Sequence, residues 1–335
     1  MKSKNISVLG GGSWGTVLAN LASCNQHNVT FWMRDSASVK EINNSKRNSK
    51  YLPELNLEGN INATDDISLI SDSEMIIFCI PSDAFREVSK MASKYIHENA
   101  QLITATKGVE KDKFNLMSHV LNEHMRNNPV GILSGPNLAQ EIAAKQLSGT
   151  VIASEDEALQ KNVIDVLGSD SFRVYENDDP YGVEMGGAIK NIYAIACGIA
   201  DGLSSGENTV GMIMTRGLGE MSRLAVELGA NPQTFLGLSG VGDLITTCAS
   251  PLSRNHKFGK YIGEGLTVES AKKKIGQTVE GLKTLKVVKT LSDERNINMP
   301  IVDSLYKIIY KGGNLNGSIQ NILGEDLIKD VEFSK

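Results

Sequence analysis

Short apolar runs recur through the first half of the chain, at 5–9 (NISVL), 28–33 (NVTFWM), 75–80 (MIIFCI), 101–105 (QLITA), 130–134 (VGILS), 149–153 (GTVIA) and 171–175 (SFRVY). Each is strand-sized and rich in β-branched or aromatic residues, the pattern of a strand buried on both faces. Helical spacing fills most of the gaps, over 14–24, 83–94, 113–126, 137–145 and 156–167. Strands alternating with helices predict an α/β fold, a doubly wound and mainly parallel sheet covered on both sides. After about residue 180 the β-runs stop, and helices are expected at 181–200, 208–229, 254–263, 267–274, 280–292 and 302–310. The acidic, Pro180-containing stretch ENDDPYG interrupts the pattern and divides the chain into domains 1–180 and 181–335.

One helical stretch breaks the usual polarity rule. EMGGAIKNIYAIACGIADG, from Glu184 to Gly202, is small and apolar on all sides, yet carries Lys190 and Asn191 at its middle. A lysine is seldom fully buried without a partner. Either its stem snorkels to a surface or the helix requires an ammonium group inside. The lack of a polar stripe around it favours the second reading.

Composition narrows the class. The 335 residues are 41% hydrophobic and 22% charged, with a net charge of −5. That is ordinary globular composition, and the acidic balance argues against a nucleic-acid partner. The four cysteines, Cys24, Cys79, Cys197 and Cys248, have neither metal-ligand nor CxxC spacing, as expected of reduced thiols in a cytoplasmic protein. The N-terminus enters a strand without the apolar core of a signal peptide, and no stretch reads as a membrane span.

The first strand runs into VLGGGSWGTVLA, which supplies Gly10, Gly12 and Gly15 in a G-x-G-x-x-G between strand and helix. The first glycine makes a tight turn, the second admits a pyrophosphate to the backbone, and the third lets helix and strand close up. A flexible turn is the plainer alternative, but the strand–turn–helix context favours dinucleotide binding, with Ser13 and Trp14 touching the cofactor. Asp35, twenty residues after Gly15, is placed either to bind a ribose hydroxyl or to sit in an exposed turn. Arg34 beside it suits adenine stacking or a 2′-phosphate, which leaves NAD and NADP both open.

Further candidates follow at strand ends and loops. ATKG places Lys107 beyond the carboxyl end of a strand, the edge at which open parallel sheets bind ligands. SGPN brings Gly135, Pro136 and Asn137 to the same edge as a helix opens. The glycine-rich GVGDLITTC holds Asp243, and Ser253, Arg254 and Asn255 follow as a cluster of donors suited to phosphate, or simply as a capped helix start. Arg216, Glu220 and Arg223 have the spacing of ion pairs along one helix.

Taken in order, GGGSWGT, ATKG, SGPN, GGAIKN, TRGLGEM, GVGDLITTC with SRN, and GQTVEG resemble the NAD(P)-dependent glycerol-3-phosphate dehydrogenases of bacterial type, over about residues 5–325. The resemblance implies a Rossmann-type domain followed by an all-helical domain like the C-terminal domain of 6-phosphogluconate dehydrogenases. It implies reversible reduction of dihydroxyacetone phosphate to sn-glycerol 3-phosphate with NADH or NADPH, for phospholipid synthesis, by a homodimer. Lys190 would be the catalytic proton donor and acceptor, with Lys107 beside it. Lys107, Gly135, Asn137, Lys190, Asn191, Asp243, Ser253, Arg254 and Asn255 would meet substrate. Gly10, Gly12, Ser13, Trp14, Gly15, Arg34, Lys107, Ala139, Arg254, Thr278 and Glu280 would meet the cofactor. The sequence departs from the family at Asn137, usually Ser or Thr, at Leu138, usually Phe, and at Thr278, commonly valine.

On that resemblance the buried lysine gains a mechanism. Hydride arriving at a carbonyl carbon leaves an alkoxide, and a lysine whose pKa is lowered by burial can protonate it. Asp243 would orient that lysine, and Asn191 would add a hydrogen bond. Two other readings compete. A sugar-nucleotide or hydroxyacid dehydrogenase of related fold is one, and the four-electron form needs a cysteine nucleophile, for which Cys248 is the candidate. A non-catalytic redox sensor is the other, and it would have no need of Lys107, Lys190, Asp243 and Arg254 together.

Overall fold

The computed structural model describes residues 2–110 and 113–313. The end of the second sequence-defined domain, 314–335, therefore lies outside the described residues. The chain forms two compact units, one of residues 1–106 and 115–180, the other of 107–114 and 181–335.

The first unit is built on an eight-stranded sheet. Its strands are β1 (Asn5–Leu9), β2 (Asn28–Trp32), β3 (Ile61–Thr64), β4 (Met75–Phe78), β5 (Gln101–Thr104), β6 (Val130–Ser134), β7 (Ser148–Ala153) and β8 (Phe172–Asn177). They lie in the order β3-β2-β1-β4-β5-β6-β7-β8. All neighbours are parallel except β6 and β7, where Leu133 faces Ile152 in an antiparallel ladder. The order reverses between β1 and β4, so the loop leaving β1 sits at a topological switch point.

Helices α1 (Ser13–Cys24), α2 (Ser36–Ser45), α3 (Ser82–Ala92), α4 (Met117–His124), α5 (Ala139–Ala143) and α6 (Glu157–Leu167) connect the strands. Alternate residues of each strand feed opposite cores. Ile77, Ile103 and Val8 pack with Val17 and Leu18 of α1 and Val163 of α6 on one face. Ile76, Phe78 and Leu102 pack with Phe85 of α3 and Val120 of α4 on the other. Three observed elements depart from the sequence expectation. Strand β3 and helix α2 were not anticipated, and the helix expected at 113–126 is confined to Met117–His124. The segment 107–114, which precedes it, belongs to the other unit.

The second unit is helical, with α7 (Pro180–Gly202), α8 (Glu207–Glu227), α9 (Asp243–Ala249), α10 (Arg254–Gly263), α11 (Val268–Ile275), α12 (Glu280–Arg295) and α13 (Pro300–Lys311). Every residue of α7 from Gly182 to Ala200 is buried. Its small residues allow α10 to approach backbone to backbone. A Cβ on Gly198 would stand 2.1 Å from the His256 carbonyl oxygen, and one on Gly259 would stand 2.1 Å from that of Ile195. Replacing either glycine would force the helices apart. Among the described residues no helix is long and apolar enough to cross a membrane.

Candidate active site

The lysine buried in α7 has its partners in α9. Lys190, 4% exposed, donates from Nζ to Asp243 Oδ1 and to Thr247 Oγ1. Lys107 donates to the other Asp243 oxygen, Oδ2, at 2.7 Å. Thr247, one helical turn beyond Asp243, donates to Oδ1 at 3.2 Å. A π-helical turn over Leu238–Gly242 leads into α9 and delivers the Asp243 carboxylate to the lysines. Such turns are frequent at functional sites. Two ammonium groups around one carboxylate leave one net positive charge. That charge suits a developing oxyanion. Burial lowers the Lys190 pKa to about 8, opposed by the charge of Asp243 and reinforced by that of Lys107.

Asn191 does not bond the lysine, contrary to the expectation from sequence. Its Nδ2 turns back to the carbonyls of Gly187 and Ala188, and its Oδ1 accepts from Asn255 Nδ2 at 2.8 Å. Asn255 Oδ1 in turn accepts from the Gly281 N–H at 3.0 Å. The two amides thus tie α7, α10 and α12 together. Thr247 makes the bond assigned to Asn191, and sequence reasoning missed it. Its signal was the i, i+4 spacing from Asp243 in DLITT, legible only once α9 is recognised as a helix.

The remaining candidates of the helical unit lie at helix starts. Ser253 caps α10, accepting from the His256 N–H at 3.3 Å. Arg254 is exposed in the first turn, and its Nη1 reaches Gln277 Oε1 at 3.4 Å. Thr278 is exposed just before α12, and Glu280 opens that helix with Lys283 at 3.5 Å. Cys248 is fully buried, and burial followed by a hydrogen bond with Cys197 pushes its thiol well above the usual range. A thiol so protonated is a poor nucleophile, which removes the basis for the sugar-nucleotide reading.

Glu220, expected from its spacing to pair with Arg216 and Arg223 along α8, is 1% exposed. Its carboxylate accepts from Ile301 N at 2.6 Å and Val302 N at 3.4 Å, at the start of α13, and from Tyr193 Oη at 3.2 Å. Burial raises its pKa to about 7, against those hydrogen bonds and the positive charge of Arg223.

In the sheet unit, Gly10 has φ +122° and a Cβ there would meet the Cys79 carbonyl oxygen at 2.2 Å. A Cβ on Gly15 would stand 1.9 Å from the Gly10 carbonyl oxygen, whereas one on Gly12 would meet nothing within 4 Å. The first and third glycines are therefore required by packing, and the second faces open space. No side chain caps α1 and its first turn holds no acidic residue. The indole N–H of Trp14 is buried without a partner. An open glycine, uncapped helix N–H groups and an unpaired donor fit a dinucleotide pyrophosphate.

Arg34 is exposed at the end of β2. Asp35 caps α2, accepting from Ala37 N at 3.2 Å and Ser38 Oγ at 2.8 Å. The hydrogen bond from Ser38 holds its carboxyl below the usual range. Gly135 has φ +151°, and Asn137 accepts from Thr150 Oγ1 at 3.1 Å while its Nδ2 is buried without a partner. Ala139 begins α5.

Residues 5–160 match the model of the NAD-dependent glycerol-3-phosphate dehydrogenase N-terminus, and residues 179–320 match that of the C-terminus. The chain belongs to the NAD-dependent glycerol-3-phosphate dehydrogenase family. It is 47% identical over 330 residues to the glycerol-3-phosphate dehydrogenase [NAD(P)+] of Alcanivorax borkumensis, covering 98% of this chain and 96% of that one. It is 49% identical over 329 residues to the Acinetobacter baylyi enzyme of the same name, with 98% and 92% covered. The crystal structure of glycerol-3-phosphate dehydrogenase from Coxiella burnetii superposes with a TM-score of 0.92 at 35% identity, covering 96% of this chain and 99% of that one.

Proposed function

We propose that this chain catalyses the reversible reduction of dihydroxyacetone phosphate to sn-glycerol 3-phosphate with NADH or NADPH, supplying glycerophospholipid synthesis. The family membership supports the reading, and the Lys190–Asp243–Lys107 cluster is the observation that carries its chemistry. The dinucleotide, held at Gly10, Gly12, Ser13, Trp14, Gly15 and Arg34, supplies or accepts the hydride when bound. Lys190 Nζ polarises the ketone oxygen as an ammonium and donates its proton as the alcohol forms. In oxidation the neutral amine takes that proton back. Asp243 keeps the lysine aimed, and Lys107 adds positive charge beside the oxygen.

Arg254 binds the substrate phosphate, helped by Ser253, while the Asn191–Asn255 pair holds the helices that frame the site. The unpaired Nδ2 of Asn137 offers a donor in place of the hydroxyl usual at that position. Ala139, Thr278 and Glu280 complete the cofactor contacts, and Gly135 shapes the loop before Asn137. The protein works as a homodimer in the cytoplasm. A dimer would cover exposed apolar side chains of the helical unit such as Met212 and Leu236, and the four cysteine thiols suit a reducing compartment. Loss of NADH or NADPH absorbance on adding dihydroxyacetone phosphate is the test. No loss with either cofactor overturns the assignment.

A further inference from the structure

Asn48 follows α2 and has no part in the chemistry described so far, yet its side chain is 0% exposed. Its backbone carbonyl accepts from Tyr51 N at 3.1 Å and Leu52 N at 2.9 Å, which pins the turn. Its Nδ2 donates to the Gly11 carbonyl at 3.0 Å and to Thr16 Oγ1 at 2.8 Å. Thr16 Oγ1 passes the contact on, donating to the Gly12 carbonyl at 2.8 Å. The amide orientation follows from its partners, because an oxygen in place of Nδ2 would face the Gly11 carbonyl oxygen. The Asn48 Oδ1 is buried with no partner. An orphaned buried acceptor is costly, so the fold bears that cost at a position where the two donors are needed.

We propose that Asn48 is a positioning residue that presets the glycine loop for a pyrophosphate. The argument is geometric. A trans peptide points its N–H opposite its C=O. Drawing the Gly11 carbonyl inward to Asn48 turns the Gly12 N–H outward. The Gly12 carbonyl, held by the Thr16 N–H at 2.9 Å and by the Thr16 hydroxyl, does the same for the Ser13 N–H. Both N–H groups then point to the open side of Gly12, where an added Cβ would meet nothing. Without Asn48 the Gly11–Gly12 peptide would have to be ordered by the ligand, at the expense of affinity. The inference rests on the dinucleotide reading of the loop and deepens it. It commits Asn48 to the pyrophosphate and not to adenosine or substrate.

The test measures binding to the intact chain directly. The Kd of NADH is read from its fluorescence, and the Ki values of ADP and adenosine from competition with NADH, in wild type and in Asn48→Leu, Asn48→Asp and Thr16→Val. Asn48→Leu should weaken NADH and ADP by about tenfold, the worth of a well-placed hydrogen bond. Asn48→Asp should weaken both further, because it sets a carboxylate against the Gly11 carbonyl. Thr16→Val, which removes one Asn48 acceptor and the hydroxyl bond to Gly12 but leaves the Thr16 N–H on that carbonyl, should weaken both by a smaller factor. Adenosine should change by less than about twofold in all three, and KM for NADH should rise while kcat at saturating NADH holds. Unchanged NADH affinity overturns the proposal, as does an equal loss for adenosine and ADP. Thr16→Val decides alone if the Asn48 variants do not fold. Failure of the wild type to bind either NADH or NADPH would instead overturn the dinucleotide reading itself.

Discussion

Asp243 binds Lys190 through one carboxylate oxygen and Lys107 through the other. A single buried acid therefore holds two ammonium groups at a set separation. It raises the Lys190 pKa while burial and Lys107 lower it, and the balance falls at about 8. At neutral pH the lysine is a charged acid, close enough to its pKa to give up its proton.

The first prediction is a pH profile with opposite limbs. Ketone reduction needs protonated Lys190, so its rate should fall as pH rises through about 8. Alcohol oxidation needs the neutral amine, so its rate should rise through the same range. Lys190→Met should remove both limbs and lower turnover by roughly 10²–10⁴, the usual worth of a positioned acid. Near-normal turnover of this variant at neutral pH would return Lys190 to a packing role.

Asp243→Asn should act through the lysines. It leaves two ammonium groups facing each other without their counter-ion. The reduction limb should move to lower pH, because the charged form of Lys190 loses its main support. Breaking a buried pair on one side typically costs about 3–5 kcal/mol, so denaturant melts should show the loss as well. A limb that stays in place would mean that Asp243 does not govern Lys190.

Arg254→Ala tests the phosphate. Removing one partner of a desolvated charge pair costs about 2–5 kcal/mol. kcat/KM for dihydroxyacetone phosphate should fall roughly 30-fold or more, at 1.4 kcal/mol per tenfold. Free dihydroxyacetone lacks the group and should lose much less. The comparison is made with NAD(P)H saturating, since Arg254 is also placed on the cofactor. An equal loss on both ketones would deny Arg254 the phosphate.

Arg34→Ala separates the two cofactors. Asp35 spends its carboxylate on capping α2, so the exposed Arg34 is the side chain left at the end of β2 to meet the ribose end. If Arg34 pairs with a 2′-phosphate, kcat/KM should fall more for NADPH than for NADH. An unchanged ratio would limit the arginine to adenine stacking.

Sequence pattern carried most of the fold because the sheet is apolar on both faces and its strands are short dense runs. It failed where tertiary contacts override composition. Strand β3 reads INAT and sits at the sheet edge, with too few apolar residues to register as a run. Helix α2, SASVKEINNS, buries only Ser38 and Ile42. Of the site, Lys190 was conspicuous because an apolar helix makes any charge visible. Lys107 and Asp243 gained meaning only from their motifs taken together. Thr247 showed only as the i, i+4 neighbour of Asp243 once α9 is known to be a helix, and Asn48 left no trace, since an asparagine is unremarkable until its partners are known. The spacing of Arg216, Glu220 and Arg223 put them on one helix, but i, i+3 spacing cannot tell that Glu220 is buried and reaches the start of α13.

That glutamate carries the last prediction, which concerns stability. Its carboxyl titrates at about 7 in the folded chain, against an ordinary value of 4.5. Between those values the folded protein keeps a proton that the unfolded chain has released. The contribution to stability is therefore full below about 4.5 and is lost as pH rises through 7. The loss has an upper scale of about 3 kcal/mol, at 1.36 kcal/mol per pKa unit. Glu220→Gln keeps the shape, the acceptor for the Ile301 N–H and a group beside Tyr193, but has no proton to lose. His27, His119 and His256, whose pKa values burial lowers, pull the other way in both proteins and cancel in the comparison. Urea melts of wild type and variant at pH 5 and pH 8 give the difference. Relative to Glu220→Gln, the wild type should be the less stable protein at pH 8 and should recover by up to about 3 kcal/mol at pH 5. Equal pH dependence in the two would mean that Glu220 stays ionised in the core, held by the Ile301 N–H and the charge of Arg223 as a charged cap of α13.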